Sequence, residues 1–119
     1  MARTVVVVDD AREILDLVCS LLREEGYAVE ALGSPRVVPV YSADERSVVF
    51  LLDLMLPMMT GIELARRLRA GGCMACPMIA MSASPQLLSD ARASGLFQET
   101  LDKPFDIDNL LRIVERYAA

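Results

Sequence analysis

Five polar side chains that could do chemistry each follow an apolar segment of this 119-residue sequence. They are Asp9, Asp10, Asp53, Ser82 and Lys103. Carboxylate oxygens bind hard divalent cations, whereas a hydroxyl and an ammonium group donate hydrogen bonds to anionic oxygens. If the fold brings the five together, they form a site for a divalent cation and an anionic group.

Asp53 has the least favourable surroundings of the three aspartates. It interrupts the apolar run of residues 48–59, and desolvating a lone carboxylate costs several kcal/mol. Each further carboxylate at about 5 Å would repel it by roughly 3 kcal/mol at an effective dielectric constant of about 20. Mg²⁺ prefers oxygen ligands and would relieve this repulsion. We therefore predict a Mg²⁺ site at Asp9, Asp10 and Asp53, although each acid alone could equally be a turn residue, a helix cap or a strand end.

The same groups also suit phosphoryl transfer. A metal ion and an ammonium group neutralise the equatorial phosphoryl oxygens while a carboxylate attacks the phosphorus in line. Aspartate can be that nucleophile and form an acyl phosphate. Phosphoryl transfer to an aspartate is therefore the reaction that this set of side chains favours.

The elements that must position these side chains alternate between strand and helix. Short runs rich in β-branched and other apolar residues predict strands at residues 4–8, 27–32, 47–52, 77–81 and 97–101. Five strand–helix units predict an α/β fold with a parallel sheet, right-handed crossovers and helices on both faces. Ligands of such sheets bind at the carboxyl ends of the strands, where all five polar side chains would lie.

Capping residues and helix breakers predict the bounds of the five helices. The first helix is predicted to end at Gly26, and the second to begin at Ser34-Pro35 and to be short or irregular because of Pro39. The third is predicted from Thr60 or Gly61 to Gly71-Gly72. The fourth spans Pro85–Ser94 with Gly95 as its stop, and the fifth is capped by Asp106 or Asp108. Helical spacing places Arg66, Arg67 and Arg69 outward on the third helix and Ile107 inward on the fifth.

Composition narrows the function further. The net charge is −5 and the sequence shows no basic stripe, which argues against direct binding of nucleic acid. No apolar stretch reaches the roughly 18 residues of a membrane helix, and the first residues lack a secretory core. We expect a cytoplasmic protein that consists of a single domain over residues 1–119, without an output domain and without membrane insertion.

The three cysteines leave two interpretations open. Cys73-Met-Ala-Cys76 could be a redox pair or half of a zinc site, or simply two reduced thiols in a loop. The chain contains no histidine, so a four-ligand zinc site cannot close within it. A thioredoxin-like motif opens a helix whose dipole activates the thiol, whereas Pro77 here opens a predicted strand. Cys19 occupies a core position of the first helix and is expected to act as a small apolar residue.

Four segments together resemble the receiver domains of bacterial response regulators in two-component signalling. They are Val5-Val6-Val7-Val8-Asp9-Asp10, Asp53-Leu-Met-Leu-Pro57-Met-Met-Thr-Gly61, Met81-Ser82-Ala83 and Lys103-Pro104-Phe105. The resemblance covers the full length of the chain. It implies a doubly wound, flavodoxin-like (βα)5 fold with the strand order 2-1-3-4-5, for which a chemotaxis regulator of this family is a standard example.

The resemblance also implies roles for the site residues. Asp53 would be phosphorylated, and Mg²⁺ would be held by Asp10, Asp53 and the backbone carbonyl of Met55, with Asp9 acting largely through water. Ser82 would donate to one phosphoryl oxygen and Lys103 would pair with another. The Lys103–Pro104 bond would be cis, and Pro57 and Gly61 would shape the loop after Asp53.

A receiver domain takes its phosphoryl group from a histidine kinase or a histidine phosphotransfer protein, and it then acts on a downstream target protein. The resemblance implies a switch on the face formed by the fourth helix, the fifth strand and the fifth helix. Thr100 stands where the family often has an aromatic residue, so the aromatic part of that switch is missing. Met55 and Ser84 would line the path of hydrolytic water, and the thioether of Met55 cannot orient it, which predicts slow self-dephosphorylation rather than enzymatic turnover.

Three other functions fit parts of the pattern. An aspartyl-nucleophile phosphohydrolase would place two acids two residues apart after its first strand, whereas Asp9 and Asp10 are adjacent. A flavodoxin-like redox protein would need a phosphate-binding loop after that strand. A receiver-like interaction module that is never phosphorylated would not need Asp53, Ser82 and Lys103 together.

Overall fold

The computed structural model describes residues 4–34 and 48–118. The strands are β1 (Thr4–Val8), β2 (Ala28–Leu32), β3 (Val48–Asp53), β4 (Met78–Ser82) and β5 (Glu99–Asp102). The helices are α1 (Arg12–Glu24), α2 (Gly61–Ala70), α3 (Pro85–Ser94) and α4 (Ile107–Ala118). The helix predicted from Ser34-Pro35, with its irregularity at Pro39, and the predicted strand start at Ser47 fall outside the described residues. The four described helices are therefore numbered without it.

The five strands form one parallel sheet in the order β2-β1-β3-β4-β5, as predicted. Val8 is in register with Leu52 of β3, and Asp53 is in register with Met81 of β4. The carboxyl ends of the central strands therefore meet at one edge of the sheet. Side chains that follow these strands are brought together there.

Helices cover both faces of the sheet because the central strands are apolar on both sides. Val5 and Val7 point to the face covered by α1 and α4, whereas Val6 and Val8 point to the face covered by α2. A third apolar cluster joins Leu54 and Ala80 to Leu88 and Ala91 of α3. Within the described part of the chain, no helix is long and apolar enough to cross a membrane.

Several predicted boundaries are confirmed because local signals determine them. Thr60 is the N-cap of α2, and its hydroxyl oxygen accepts a hydrogen bond from the Glu63 amide at 3.1 Å. Of the two candidate caps for α4, Asp106 is the correct one, since its carboxylate accepts from the Asp108 amide at 2.9 Å. Gly95 ends α3 with a φ of 72°, a left-handed conformation that glycine adopts without strain.

Other predictions differ from the structure. The strand predicted from Phe97 begins at Glu99, and Phe97 packs between two apolar clusters before it. Ile107, predicted to face inward, is 42% exposed because it is the first residue of α4 and precedes the buried face of that helix. Arg69, predicted to face outward, is half-buried because its guanidinium folds back over the end of α2 to reach backbone carbonyls.

Candidate functional site

Each predicted site residue lies at the carboxyl edge of the sheet. Asp9 directly follows β1, Asp53 and Ser82 are the last residues of β3 and β4, and Lys103 directly follows β5. One carboxylate oxygen from each of Asp9, Asp10 and Asp53 lies within 4.8 Å of the other two. The fold therefore assembles the acidic cluster that the sequence predicts.

The ammonium group of Lys103 bridges two members of this cluster. Its Nζ lies 2.7 Å from Oδ2 of Asp9 and 3.3 Å from Oδ2 of Asp53. The three side chains are almost completely buried, with exposed fractions of 13% for Lys103, 0% for Asp9 and 8% for Asp53. The sequence-based estimate of carboxylate repulsion omitted this cation, which offsets part of the repulsion.

Burial raises the pKa of Asp53 above its ordinary value of 3.8. The amide of Met55 lowers this pKa by donating to Oδ1 at 3.1 Å, the Asp9 carboxylate raises it, and Lys103 lowers it. The net shift is upward, because the hydrogen bond and the cation do not compensate for burial and for Asp9. A second cation at this edge of the sheet would stabilise the ionised carboxylate.

Asp9 and Asp10 are adjacent in sequence but lie in different surroundings. Asp9 is fully buried and accepts hydrogen bonds from the Ala11 amide at 2.9 Å and from Lys103. Asp10 is exposed to solvent. The oxygens of Asp9 are thus already engaged with protein donors, whereas Asp10 presents its carboxylate at the surface beside Asp53.

Gly61 fixes the backbone around Asp53. Its amide donates to the Leu54 carbonyl at 3.0 Å. A Cβ atom at this position would lie 2.4 Å from the Asp53 carbonyl oxygen and 2.8 Å from the Leu54 Cα. Only glycine fits this approach without moving the backbone, so the first residue of α2 rests directly on the residue that carries the candidate nucleophile.

Ser82 and Lys103 both line a cavity of about 170 Å³. Its side chain is buried, and its hydroxyl oxygen accepts from the Ser84 amide at 3.0 Å. The Ser82 carbonyl accepts from the Lys103 amide at 2.9 Å, which ties the end of β4 to the residue after β5.

Arg92 of α3 also lines the cavity beside Ser82. Sequence analysis missed this residue, although it stands four positions after the buried Leu88 and thus on the same side of α3.

The peptide bond between Lys103 and Pro104 is cis, as the resemblance implied. Thr100 lies within β5, in register with Ala80, and is half-buried. Phe97 precedes the strand, so it does not replace the missing aromatic residue on β5.

The residues present fit Mg²⁺. The donor set consists of three aspartate carboxylates with a single ammonium group among them, and oxygen ligands with excess negative charge are what this cation prefers. Met55 follows Asp53 by two residues, and its backbone is held at the cluster by the bond from its amide to Asp53. The cluster therefore has the composition of a magnesium site.

Comparisons with known proteins agree with this geometry. The family model described as response regulator receiver domain matches residues 5–115. The chain is 31% identical over 120 residues to the DNA-binding transcriptional regulator NtrC of Azospirillum brasilense, covering 97% of this chain and 24% of that protein. It is 31% identical over 110 residues to the response regulator MprA of Mycolicibacterium vanbaalenii, covering 90% of this chain and 46% of that protein. The chain thus spans less than half the length of these relatives.

Solved structures share the fold along nearly the whole chain. The chemotaxis protein CheY4 of Vibrio cholerae superposes with a TM-score of 0.79 at 25% identity, covering 98% of this chain and 99% of that one. A CheY-like receiver domain protein of Methanospirillum hungatei gives a TM-score of 0.85 at 23% identity, with coverages of 99% and 94%. The BeF3-activated DrrB receiver domain gives 0.81 at 23% identity, with coverages of 98% and 97%.

Proposed function

The chain belongs to the family of response regulator receiver domains, and from this premise we propose that Asp53 accepts a phosphoryl group in a Mg²⁺-dependent reaction. Receiver domains are signalling phosphoacceptors rather than enzymes. The observation that carries the proposal is the position of Asp53, whose carboxylate lies within 4.8 Å of two other carboxylates and 3.3 Å from the Lys103 ammonium.

The surroundings of Asp53 suggest how its own atoms act in the transfer. A carboxylate oxygen attacks phosphorus, and the bond from phosphorus to the donor's nitrogen breaks as the donor's imidazole leaves with the electron pair. The Met55 amide holds Oδ1 of Asp53 during this step. Lys103 exchanges its contact with Oδ2 of Asp53 for a phosphoryl oxygen and remains paired with Asp9. The buried hydroxyl of Ser82 donates to a second phosphoryl oxygen.

Asp10, Asp53 and the backbone carbonyl of Met55 would hold Mg²⁺, with Asp9 acting through water. Bound there, the ion supplies positive charge that neutralises the phosphoryl oxygens. Asp10 is the residue best suited to a test of Mg²⁺ binding, because it is exposed and takes no part in the ion pairs of Lys103. We expect Asp10→Ala to abolish the Mg²⁺-induced NMR shifts near Asp53 without unfolding the domain. Unchanged shifts in this variant would remove Asp10 from the site.

The phosphoryl donor is a histidine that lies outside these 119 residues, which contain none. Receiver domains are phosphorylated by histidine kinases, and a histidine phosphotransfer protein would serve equally. The 119 residues act as one receiver domain, and the phosphoryl group alters the face formed by α3, β5 and α4, where a target protein binds.

The acyl phosphate hydrolyses slowly because the thioether of Met55 cannot orient a water molecule. Met55→Asn should therefore shorten the lifetime of the acyl phosphate.

Labelling of Asp53 tests the proposal. The chain is incubated with Mg²⁺ and acetyl phosphate, or with a phosphorylated histidine kinase, and its intact mass is recorded. We expect one added phosphoryl group on the natural chain, none on Asp53→Asn, and none when a chelator removes Mg²⁺. If neither donor labels the natural chain, it is an unphosphorylated interaction module, and the proposal fails.

A further inference from the structure

A half-buried arginine, Arg69, holds the loop that carries Cys73 and Cys76, at the amino edge of the sheet. Arg69 is the penultimate residue of α2, and its guanidinium donates to five acceptors in two loops. The acceptors are the carbonyls of Cys73 (2.9 Å), Met74 (3.1 Å), Cys76 (2.7 Å) and Leu96 (2.6 Å) and the side-chain oxygen of Gln98 (3.2 Å). The guanidinium thus links the end of α2 to the segments before β4 and β5.

This arrangement brings the two cysteines to the same side of a bend. The single nitrogen Nη1 of Arg69 bonds the carbonyls of both residues, so the chain folds back on itself between them. The thiols of Cys73 and Cys76 are buried in one apolar cluster, whereas Met74 at the bend is 75% exposed. Cys73 and Cys76 therefore flank one bend and share one buried cluster, which makes them candidates for a bridge across C-x-x-C.

The guanidinium also places a positive charge beside the two thiols. Burial lowers the pKa of Arg69, whereas the charges of Cys76 and Cys73 raise it. Among the described residues, no carboxylate lies within ion-pair distance of this guanidinium. Reactive dithiols need positive charge near the sulfur, which a helix N-terminus commonly supplies. Here the motif follows the carboxyl end of α2, whose dipole has the opposite sign, and Arg69 supplies the charge instead.

We propose that Cys73 and Cys76 form a reversible intramolecular disulfide by exchange with a low-molecular-weight disulfide such as oxidised glutathione. One thiolate attacks a sulfur of the small disulfide, a small thiolate leaves, and a mixed disulfide forms. The second cysteine thiolate then attacks the protein sulfur of this intermediate and releases the second small thiol. The two cysteines lose two electrons and two protons in forming one S–S bond, and the small disulfide is reduced to two thiols.

The other chemistry open to two cysteines is a thiolate metal site, which needs further ligands. Within the described residues, the acidic cluster at Asp53 is the only group of three or more candidate ligands, and it lies at the opposite edge of the sheet. The dithiol therefore acts independently of the phosphoacceptor. Cys73 and Cys76 are 1% and 0% exposed, so entry of the small disulfide requires the exposed bend at Met74 and Ala75 to open.

Alkylation and mass spectrometry test the proposal on the natural chain. The protein is equilibrated in buffers with increasing ratios of oxidised to reduced glutathione, trapped with iodoacetamide under denaturing conditions and digested with trypsin. We expect the peptide of residues 70–92, which contains both cysteines, to lose two hydrogens and escape alkylation, while Cys19 stays fully alkylated. A peptide that is alkylated at every ratio, a lasting glutathione adduct or a bridge to Cys19 would each overturn the proposal.

Three variants assign the roles. Cys76→Ala should stop at the mixed disulfide on Cys73, and Cys19→Ala should behave like the natural chain. Arg69→Gln removes the positive charge beside the loop and should slow disulfide formation by about ten-fold. Arg69→Lys keeps the charge and should recover most of the rate. Equal rates in the natural chain and the Gln variant would contradict the role of Arg69.

Discussion

Two partly buried cations lie at opposite edges of the same sheet and are held in different ways. At the carboxyl edge, Lys103 is paired with the carboxylates of Asp9 and Asp53 at 2.7 and 3.3 Å. At the amino edge, Arg69 is held by neutral oxygens, four of them backbone carbonyls. Lys103 therefore has charged partners, whereas Arg69 has neutral partners that are mostly backbone carbonyls.

Because their partners differ, Lys103 can change its partner during a reaction, whereas Arg69 cannot. A carboxylate oxygen on Lys103 can be replaced by a phosphoryl oxygen of similar charge, so the ion pair is compatible with a reaction. The carbonyls that hold Arg69 belong to the segments before β4 and β5, and they cannot be exchanged without moving those segments. We infer that Lys103 belongs to the reactive region and that Arg69 belongs to the framework.

The largest effect is expected when Lys103 is replaced by methionine. Asp9 is fully buried, and removing its cationic partner leaves a buried charge that costs about 3–5 kcal/mol. Urea denaturation at neutral pH measures the loss. The double variant Lys103→Met with Asp9→Asn should regain most of it, because the fully buried charge of Asp9 is then removed and only Asp53 still lacks its cation. A double variant as unstable as the single one would show that the ion pair does not matter.

Arg69→Met tests the other cation and should cost about 2–3 kcal/mol, because several carbonyls lose their donor while those near the surface gain water. Its acceptors are neutral, so this loss should change little between low and high salt. The Lys103 variant gives the contrast, since its loss comes from the unpaired charge of Asp9 and should be recovered by Asp9→Asn. If Asp9→Asn recovered the loss in Arg69→Met as well, the distinction between the two cations would be wrong.

Gly61→Ala should disturb the carboxyl edge alone. The added Cβ would meet the Asp53 carbonyl oxygen at 2.4 Å, and relieving that contact should cost about 2 kcal/mol and displace Asp53. Gly33→Ala is the matched control, because its Cβ would have open space and no unusual φ to adopt. We expect the control to be stable within about 0.5 kcal/mol of the natural chain. Equal stabilities of the two variants in urea would exclude a role of Gly61 as a backbone contact.

Asp53→Asn should have the smallest effect on stability and the opposite sign, a gain of about 1 kcal/mol at neutral pH in the presence of a chelator. The pKa of Asp53 is raised in the folded state, so the folded chain binds this proton more tightly than the unfolded chain does. The natural chain therefore loses stability relative to the variant as the pH rises from the ordinary value of 3.8 through the raised pKa. Urea denaturation between pH 3 and 8 measures this difference, and a loss of more than about 1 kcal/mol in the variant would contradict it.

Local sequence signals predict much of this fold. The five-residue strand Thr4–Val8 has the predicted bounds because a run of valines favours a strand buried on both faces. Helix Pro85–Ser94 has the predicted bounds because Ser84 caps it, Pro85 starts it and Gly95 ends it. The strand after Gly95 is predicted less accurately. Phe97 is apolar because it packs against a buried cluster, and it lies before the start of β5.

Contacts between distant residues could not be predicted in the same way. Lys103 pairs with Asp9 from 94 positions away, and Arg69 reaches the Leu96 carbonyl over 27 positions. Strand ends indicate that groups share an edge, but the reach of a long side chain selects its partner there. Met58 illustrates another limit, because it adopts a φ of 75° that its residue type does not signal.

Beryllofluoride binding in the presence of Mg²⁺ tests the central claim most directly, because this acyl-phosphate mimic needs the acidic cluster and its cation together. NMR of the amides around Asp53 follows the binding. We predict saturable binding by the natural chain and by Arg69→Met, and none by Asp53→Asn, which keeps the fold but loses the acceptor. A natural chain that fails to bind, or an Asp53→Asn chain that binds equally well, would contradict the assignment of the phosphoacceptor site.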